Sequence, residues 1–117
     1  QSLLADFSAS ELRTPLATFD RQWSDLEQLQ KTLNVPIAVI VLPFRQQIDQ
    51  HPEWRAPQDY LREKCSATPL KCLDPWMTFR EHRTETLYTP TSSMHFNPDG
   101  SRILAIWLAD NLRDVLF

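Results

Sequence analysis

The chain has 117 residues, room for one compact domain and not comfortably two. At 42% hydrophobic and 23% charged it has an ordinary globular composition, and a net charge of −3 leaves no basic footprint for nucleic acid. A single glycine excludes phosphate-cradling loops and dinucleotide fingerprints within the chain, because both need several glycines where backbone meets ligand closely.

The start, Gln1-Ser2-Leu3-Leu4, has no basic region followed by an apolar core, so no leader peptide is expected in it. Residues 1–13 carry no clear pattern. Thr14-Pro15 reads as an N-cap followed by proline at the first helical position. Leu16, Phe19, Trp23, Leu26, Leu29 and Leu33 then recur at helical steps, which predicts an amphipathic helix ending near Asn34. Asp20, Asp25, Glu27 and Lys31 fall on its wet side.

The run 35–42, VPIAVIVL, is short, continuous and rich in β-branched residues. It reads as a strand buried on both faces, ended by Pro43. It is also the longest apolar stretch and far too short to span a bilayer. FRQQIDQHPEW reads as a loop or short helix. APQDYLREKC reads as a helix with Tyr60, Leu61 and Cys65 facing inward. LKCLD, 70–74, reads as a second short strand, WMTFREHR as a helix and LYTPTSSMHF as a loop.

The last element carries the clearest signals. Asn97 stands at a cap position, Pro98 at the first helical position, and Asp99 suits the positive end of the helix dipole. Leu104, Trp107, Leu108, Leu112, Val115 and Leu116 line one face, widened by Ile103 and Ile106. Strands separated by helices imply a parallel α/β sheet with helices on both faces, residues 1–117 forming one α/β unit. Two strands are few for such a sheet, where about five are typical, and they leave open edges. Further strands are expected from another chain or from a preceding half.

Cys65 and Cys72 admit two readings: buried free thiols, or a disulfide closing a small loop around Thr68-Pro69. The disulfide would place the chain in an oxidising, extracytoplasmic compartment. The spacing does not match a zinc site, so no metal is expected.

Of three histidines, His51 and His82 read as solvated surface residues. His95 differs, because it ends a polar loop two residues before a strongly capped helix. In parallel α/β folds ligands sit on such loops, outside the carboxyl ends of strands. A neutral imidazole there can take a proton from a hydroxyl nucleophile. Arg45, at the carboxyl end of the first strand, is a candidate for meeting an anionic substrate. Its alternative is an ordinary surface arginine. Trp54 and Trp76 read either as walls of a groove or as packing anchors.

LYTPTSSMHFNPDGSRILAIWLADNL is similar to the last block of the SGNH (GDSL-like) hydrolase superfamily. There an acid lies two or three positions before a catalytic His, followed by Asn-x-x-Gly and a closing amphipathic helix. His95 to Gly100 fits the second part, and VIVLPFR and CLDPW resemble the family's last two strands. The resemblance covers about residues 16–117, the C-terminal half of such a domain. It implies a three-layer flavodoxin-like sheet and an esterase or O-acyltransferase acting on acyl esters, with glycan O-acetyl groups among the candidates. No cofactor is called for.

Three departures follow. Ser92 and Ser93 stand where the acid falls, and they could orient the imidazole only by hydrogen bonding. No Gly-Asp-Ser turn supplies a nucleophile, and the oxyanion-hole blocks are absent. Asp74, at the end of the second strand, is a substitute acid or, before Pro75, a turn residue. Ser92 and Ser93 as nucleophiles are disfavoured, since residues so near His95 along the chain seldom reach dyad geometry. The expected chemistry is therefore His95 acting on a serine outside these residues. The rivals are a non-catalytic binding module that has lost the triad's acid, and an α/β domain of unrelated function.

Overall fold

The computed structural model describes residues 9–116. The Gln1–Leu4 start lies outside them. Five helices and a two-stranded parallel sheet make a mixed α/β fold. The order is α1 (Ala9–Leu33), β1 (Ala38–Ile40), α2 (Arg45–Asp49), α3 (Ala56–Ser66), β2 (Lys71–Leu73), α4 (Trp76–Glu81) and α5 (Pro98–Leu116).

Helix α1 departs from the expected start. It begins by Ala9, so Thr14 is not its N-cap and Pro15 lies inside the helix. Proline there removes one ladder donor, which six preceding helical residues tolerate. The stop is as expected: Asn34 takes φ 53°, the left-handed conformation that ends many helices. Only part of the predicted apolar face is covered. Trp23 is buried, while Leu29 and Leu33 are 45% and 57% exposed. Asp20, half-exposed as a wet-side residue, also bonds to α3. Its carboxylate accepts the Tyr60 hydroxyl at 2.7 Å and pairs with Lys64 at 2.5 Å. Those two hydrogen bonds, Lys64's the stronger, hold the Asp20 carboxyl below its usual range. With Phe19 edge-on to Tyr60, they dock α1 on α3.

The strand expected over 35–42 is only three residues long and half-buried. Val35 and Leu42, at its ends, are 45% and 51% exposed. The reason is pairing. β1 has one neighbour, β2, in register Ala38↔Lys71, Val39↔Cys72 and Ile40↔Leu73. In a parallel ladder alternate residues bond to one side, so Ala38 and Ile40 aim their amides away from β2. No other strand meets that edge among the described residues. The apolar run therefore has a free hydrogen-bonding edge, and its side chains are only half-buried.

The core lies elsewhere. Ile48, Phe79, Leu87, Tyr88 and Ile103 form one buried cluster, extended by Trp76, Phe96 and Leu104. It joins α2, α4 and the start of α5 beneath residues 87–96. Phe79 is fully buried and stacks on Phe96 with ring centroids 4.8 Å apart. The loop 87–96 is thus anchored from below. The far half of α5 is open: Ala105, Leu108, Ala109 and Leu112 line an apolar depression, and Ile106 is 55% exposed.

Cys65, on α3, and Cys72, on β2, lie side by side with Cα atoms 6.0 Å apart, placed for a disulfide. Such a bridge pins α3 to β2 across a seven-residue separation. A loop that short is worth about 2.5 kcal/mol through the unfolded chain's entropy. Dithiothreitol is accordingly expected to lower the urea midpoint of the protein, and Cys65→Ser/Cys72→Ser to remove that sensitivity. Urea denaturation with and without reductant checks both.

Candidate active site

His95 sits on an excursion of chain closed at its base. Tyr88 and Phe96 form an isolated antiparallel bridge. The Thr89 N–H donates to the His95 carbonyl at 2.9 Å, and the Asn97 N–H to the Leu87 carbonyl at 2.9 Å. Between these ties the chain makes a turn over Thr89-Pro90-Thr91-Ser92. The Ser92 N–H donates to the Thr89 carbonyl at 3.4 Å and the Thr89 hydroxyl returns to the Ser92 carbonyl at 3.2 Å. Proline at the second position presets that turn.

The turn delivers Ser92 to His95. Ser92 Oγ lies 2.7 Å from His95 Nδ1 and also accepts the Met94 N–H at 3.2 Å. This overturns the expectation that neighbours along the chain would miss each other. Two successive turns fold the side chain back, which separation along the chain alone does not convey. Ser93 is not in the pair. Its carbonyl instead accepts the Arg45 N–H at 2.9 Å, tying α2 to the loop.

The geometry has a definite chemical content. A hydroxyl oxygen has two lone pairs and one proton. With one lone pair on Met94, Ser92 can accept Nδ1–H with the other, which leaves Nε2 as a free base. It can equally donate to Nδ1, which puts the proton on Nε2. A carboxylate would enforce the first tautomer; serine permits both. His95 is exposed, so Nε2 is open to a substrate.

The rest of the His–Asn–Pro–Asp–Gly stretch holds this loop. Asn97 Oδ1 accepts the Gly100 N–H at 2.8 Å, the cap expected from sequence, and its Nδ2 donates to the Thr86 carbonyl at 2.7 Å. Gly100 packs directly on Leu87. A Cβ at this position would collide with the Leu87 carbonyl oxygen and stand 3.1 Å from Phe96 Cβ. The chain's lone glycine is a close-approach residue under the His95 loop.

The other candidates fall into place. Asp74 accepts the Trp76 N–H at 3.0 Å, a turn bond just before α4, and pairs with Arg55 at 2.6 Å. Both of its oxygens are engaged there, as a turn residue and not as a partner of His95. His51 is half-exposed, bonded to Glu53 and stacked on Trp54; His82 is half-exposed and bonded to Glu85. Trp76 donates its Nε1–H to the Gln47 carbonyl at 3.0 Å and carries the Arg55 guanidinium on its face at 4.5 Å. Trp54 and Trp76 act in packing and do not line the cleft beside Arg45.

That cleft, about 480 Å³, runs between Arg45 and Asp49 of α2 and residues 83–90. Tyr88, in its floor, gives its hydroxyl to the Pro43 carbonyl at 2.7 Å. Burial pushes the Tyr88 hydroxyl's pKa well above its ordinary value, so it stays protonated and structural.

Sequence reasoning missed the buried amide pair Gln47–Gln58. Gln47 Nε2 donates to Gln58 Oε1 at 2.8 Å and to the Trp54 carbonyl, while its Oε1 accepts the Phe44 N–H at 3.2 Å. The pair fixes α2, hence Arg45, against α3. A glutamine in the polar string RQQID gives no sign of burial; only its contacts reveal it. Among the described residues no cluster of three or more His, Cys, Asp or Glu is placed to hold a metal, and no helix is long and apolar enough to cross a membrane. Compared with protein-family models, curated proteins and solved structures, the chain matches none.

Proposed function

We propose that this chain carries the histidine end of a serine ester hydrolase or O-acyltransferase of the SGNH type. His95 is the general base and Ser92 its orienting partner. The observation that carries the reading is the 2.7 Å contact of Ser92 Oγ with His95 Nδ1, three positions before the histidine, where the family's acid stands. The capped Asn97 and close-packed Gly100 fit the same pattern. The nucleophilic serine and the oxyanion donors belong to sequence outside these residues. So do the further strands of a three-layer flavodoxin-like sheet, which would meet the open edge of β1.

In this mechanism Nε2 of His95 takes the proton of the incoming serine hydroxyl as it attacks the ester carbonyl. It then returns the proton to the leaving alcohol, giving an acyl-enzyme that water or an acceptor alcohol resolves. The Cys65–Cys72 disulfide suits an extracytoplasmic setting. One observation favours the second reading, a binding module without turnover: Ser92 offers no charge to stabilise an imidazolium.

The test uses the complete protein with p-nitrophenyl acetate and a serine-reactive phosphonate. Hydrolysis that the phosphonate blocks, with a labelled serine, is the expected result. No labelling, or hydrolysis indifferent to His95→Ala, overturns the proposal in favour of the binding module.

A further inference from the structure

We infer that the cleft beside the His95 loop binds an anionic sugar, the alcohol part of the ester substrate; this use of the cleft rests on the proposed chemistry, while the binding itself does not. The cleft and the loop share structure. Thr89 lines the cleft and donates its N–H to the His95 carbonyl, and Arg45 lines it and donates its N–H to the Ser93 carbonyl. A ligand seated there lies against the same chain that carries the imidazole.

The lining sets the ligand's chemistry. Arg45, from α2, and Arg83, from the segment after α4, both line the cleft. Neither is paired with a carboxylate among the described residues. Arg83 spends one N–H on the Arg80 carbonyl at 3.1 Å, which leaves most of its fork free. Two carboxylates open onto the same cleft, and they limit the charge it accepts. Glu85 is taken up by the His82 ring, whereas Asp49 makes no ion pair. Glu85 keeps its charge while it bonds a neutral His82 ring, so two guanidiniums stand against two carboxylates: the arginine forks offer directed donors for one oxyanion, and the carboxylates disfavour a polyanion.

The remaining polar wall is uncharged. Thr84, Thr86 and Thr89 line the cleft with Gln50. Hydroxyls and an amide both donate and accept, as a polyhydroxylated ligand requires, and a volume near 480 Å³ is in the range of small-molecule sites. A purely apolar acyl chain would find few partners here. Arginine recognises carboxylate and phosphate in the same forked geometry, so the shared chemistry is a sugar bearing one such oxyanion.

Binding to the complete protein is measured by calorimetry or by ligand-observed NMR, with glucuronate, glucose 6-phosphate and glucose as probes. The expected result is millimolar binding of one or both anionic sugars and at least tenfold weaker binding of glucose. Arg45→Gln and Arg83→Gln should each weaken the anionic probe about tenfold, the scale of a charge-assisted hydrogen bond. Glucuronate alone binding identifies a carboxylate sugar; glucose 6-phosphate alone identifies a phosphate sugar. Equal binding of glucose, no binding of any probe, or indifference to both arginine variants in protein that melts as the parent does, overturns the inference. Binding with these features in a protein that hydrolyses no ester leaves the inference standing and removes the esterase reading.

Discussion

Ser92→Asp is expected to raise turnover of p-nitrophenyl acetate by the complete protein, while Ser92→Ala lowers it about tenfold and His95→Ala lowers it about 10³-fold. The largest loss is the scale of a general base removed outright. The other two follow from the tautomer. Ser92 Oγ meets Nδ1 at 2.7 Å with a proton of its own to give. When Ser92 donates, Nδ1 is the acceptor and Nε2 carries the proton, which is the wrong form for a base. An aspartate has no proton to give at neutral pH, so it selects Nδ1–H and also stabilises the imidazolium formed as Nε2 takes the proton.

The substitution suits the backbone already present. Ser92 accepts the Met94 N–H, two residues on, and aspartate makes the same local bond. Ser92→Asn separates the two effects, because it lacks the charge and can offer either of its ends. A kcat for Ser92→Asp equal to that for Ser92→Ala would mean that His95 is not the base. Steady-state kinetics on the four variants, with the melt of each, decides this.

The starts of α3 and α5 were legible because their signals are local, whereas the equally local Thr14-Pro15 signal misled, since α1 runs through it from Ala9. Asn97-Pro98-Asp99 marks the start of α5, and Pro57 marks that of α3 within two residues. The strand over 35–42 was not, because its length depends on neighbours. A continuous apolar run specifies a strand covered on both sides, and β1 has one partner. Leu33, Leu42 and Ile106 are likewise more than half exposed.

At the candidate site the histidine, the cap and the glycine could be read from spacing. The Ser92 contact could not, since it depends on how Thr89-Pro90 turns the chain. Gln47 and Gln58 could not either, because a buried amide looks like a solvated one until its partners are known. The apolar pattern of 35–42 exceeds the half-burial it receives, and α5 keeps an apolar depression open.

Gly100→Ala should destabilise the protein by about 3 kcal/mol, the upper part of the range for forcing extra atoms into a packed site. The sign is the informative part. Inside an ordinary helix, replacing glycine with alanine stabilises by up to about 1 kcal/mol, because alanine loses less backbone freedom on folding. Gly100 is the third residue of α5 and its φ is not in the left-handed region, so helix propensity alone predicts a gain. Packing predicts the reverse. The new methyl would collide with the Leu87 carbonyl oxygen and press on its carbon and on Phe96 Cβ, both at 3.1 Å.

None of these neighbours yields easily. The Leu87 carbonyl is held by the Asn97 N–H at 2.9 Å, and Phe96 is stacked on the fully buried Phe79. Relief requires α5 to move away from 86–88. That stretches the bonds from Asn97 to Thr86 and Leu87, which close the base of the His95 excursion. The loss of stability should therefore come with a changed environment at His95, while the α3–β2 unit keeps its own contacts. Urea denaturation gives the first quantity, and the imidazole proton resonances of His95 against those of His51 give the second. A neutral or stabilising Gly100→Ala would show that α5 does not press on Leu87. An unchanged His95 signal in a destabilised variant would show that the glycine supports the core alone and not the loop that carries the histidine.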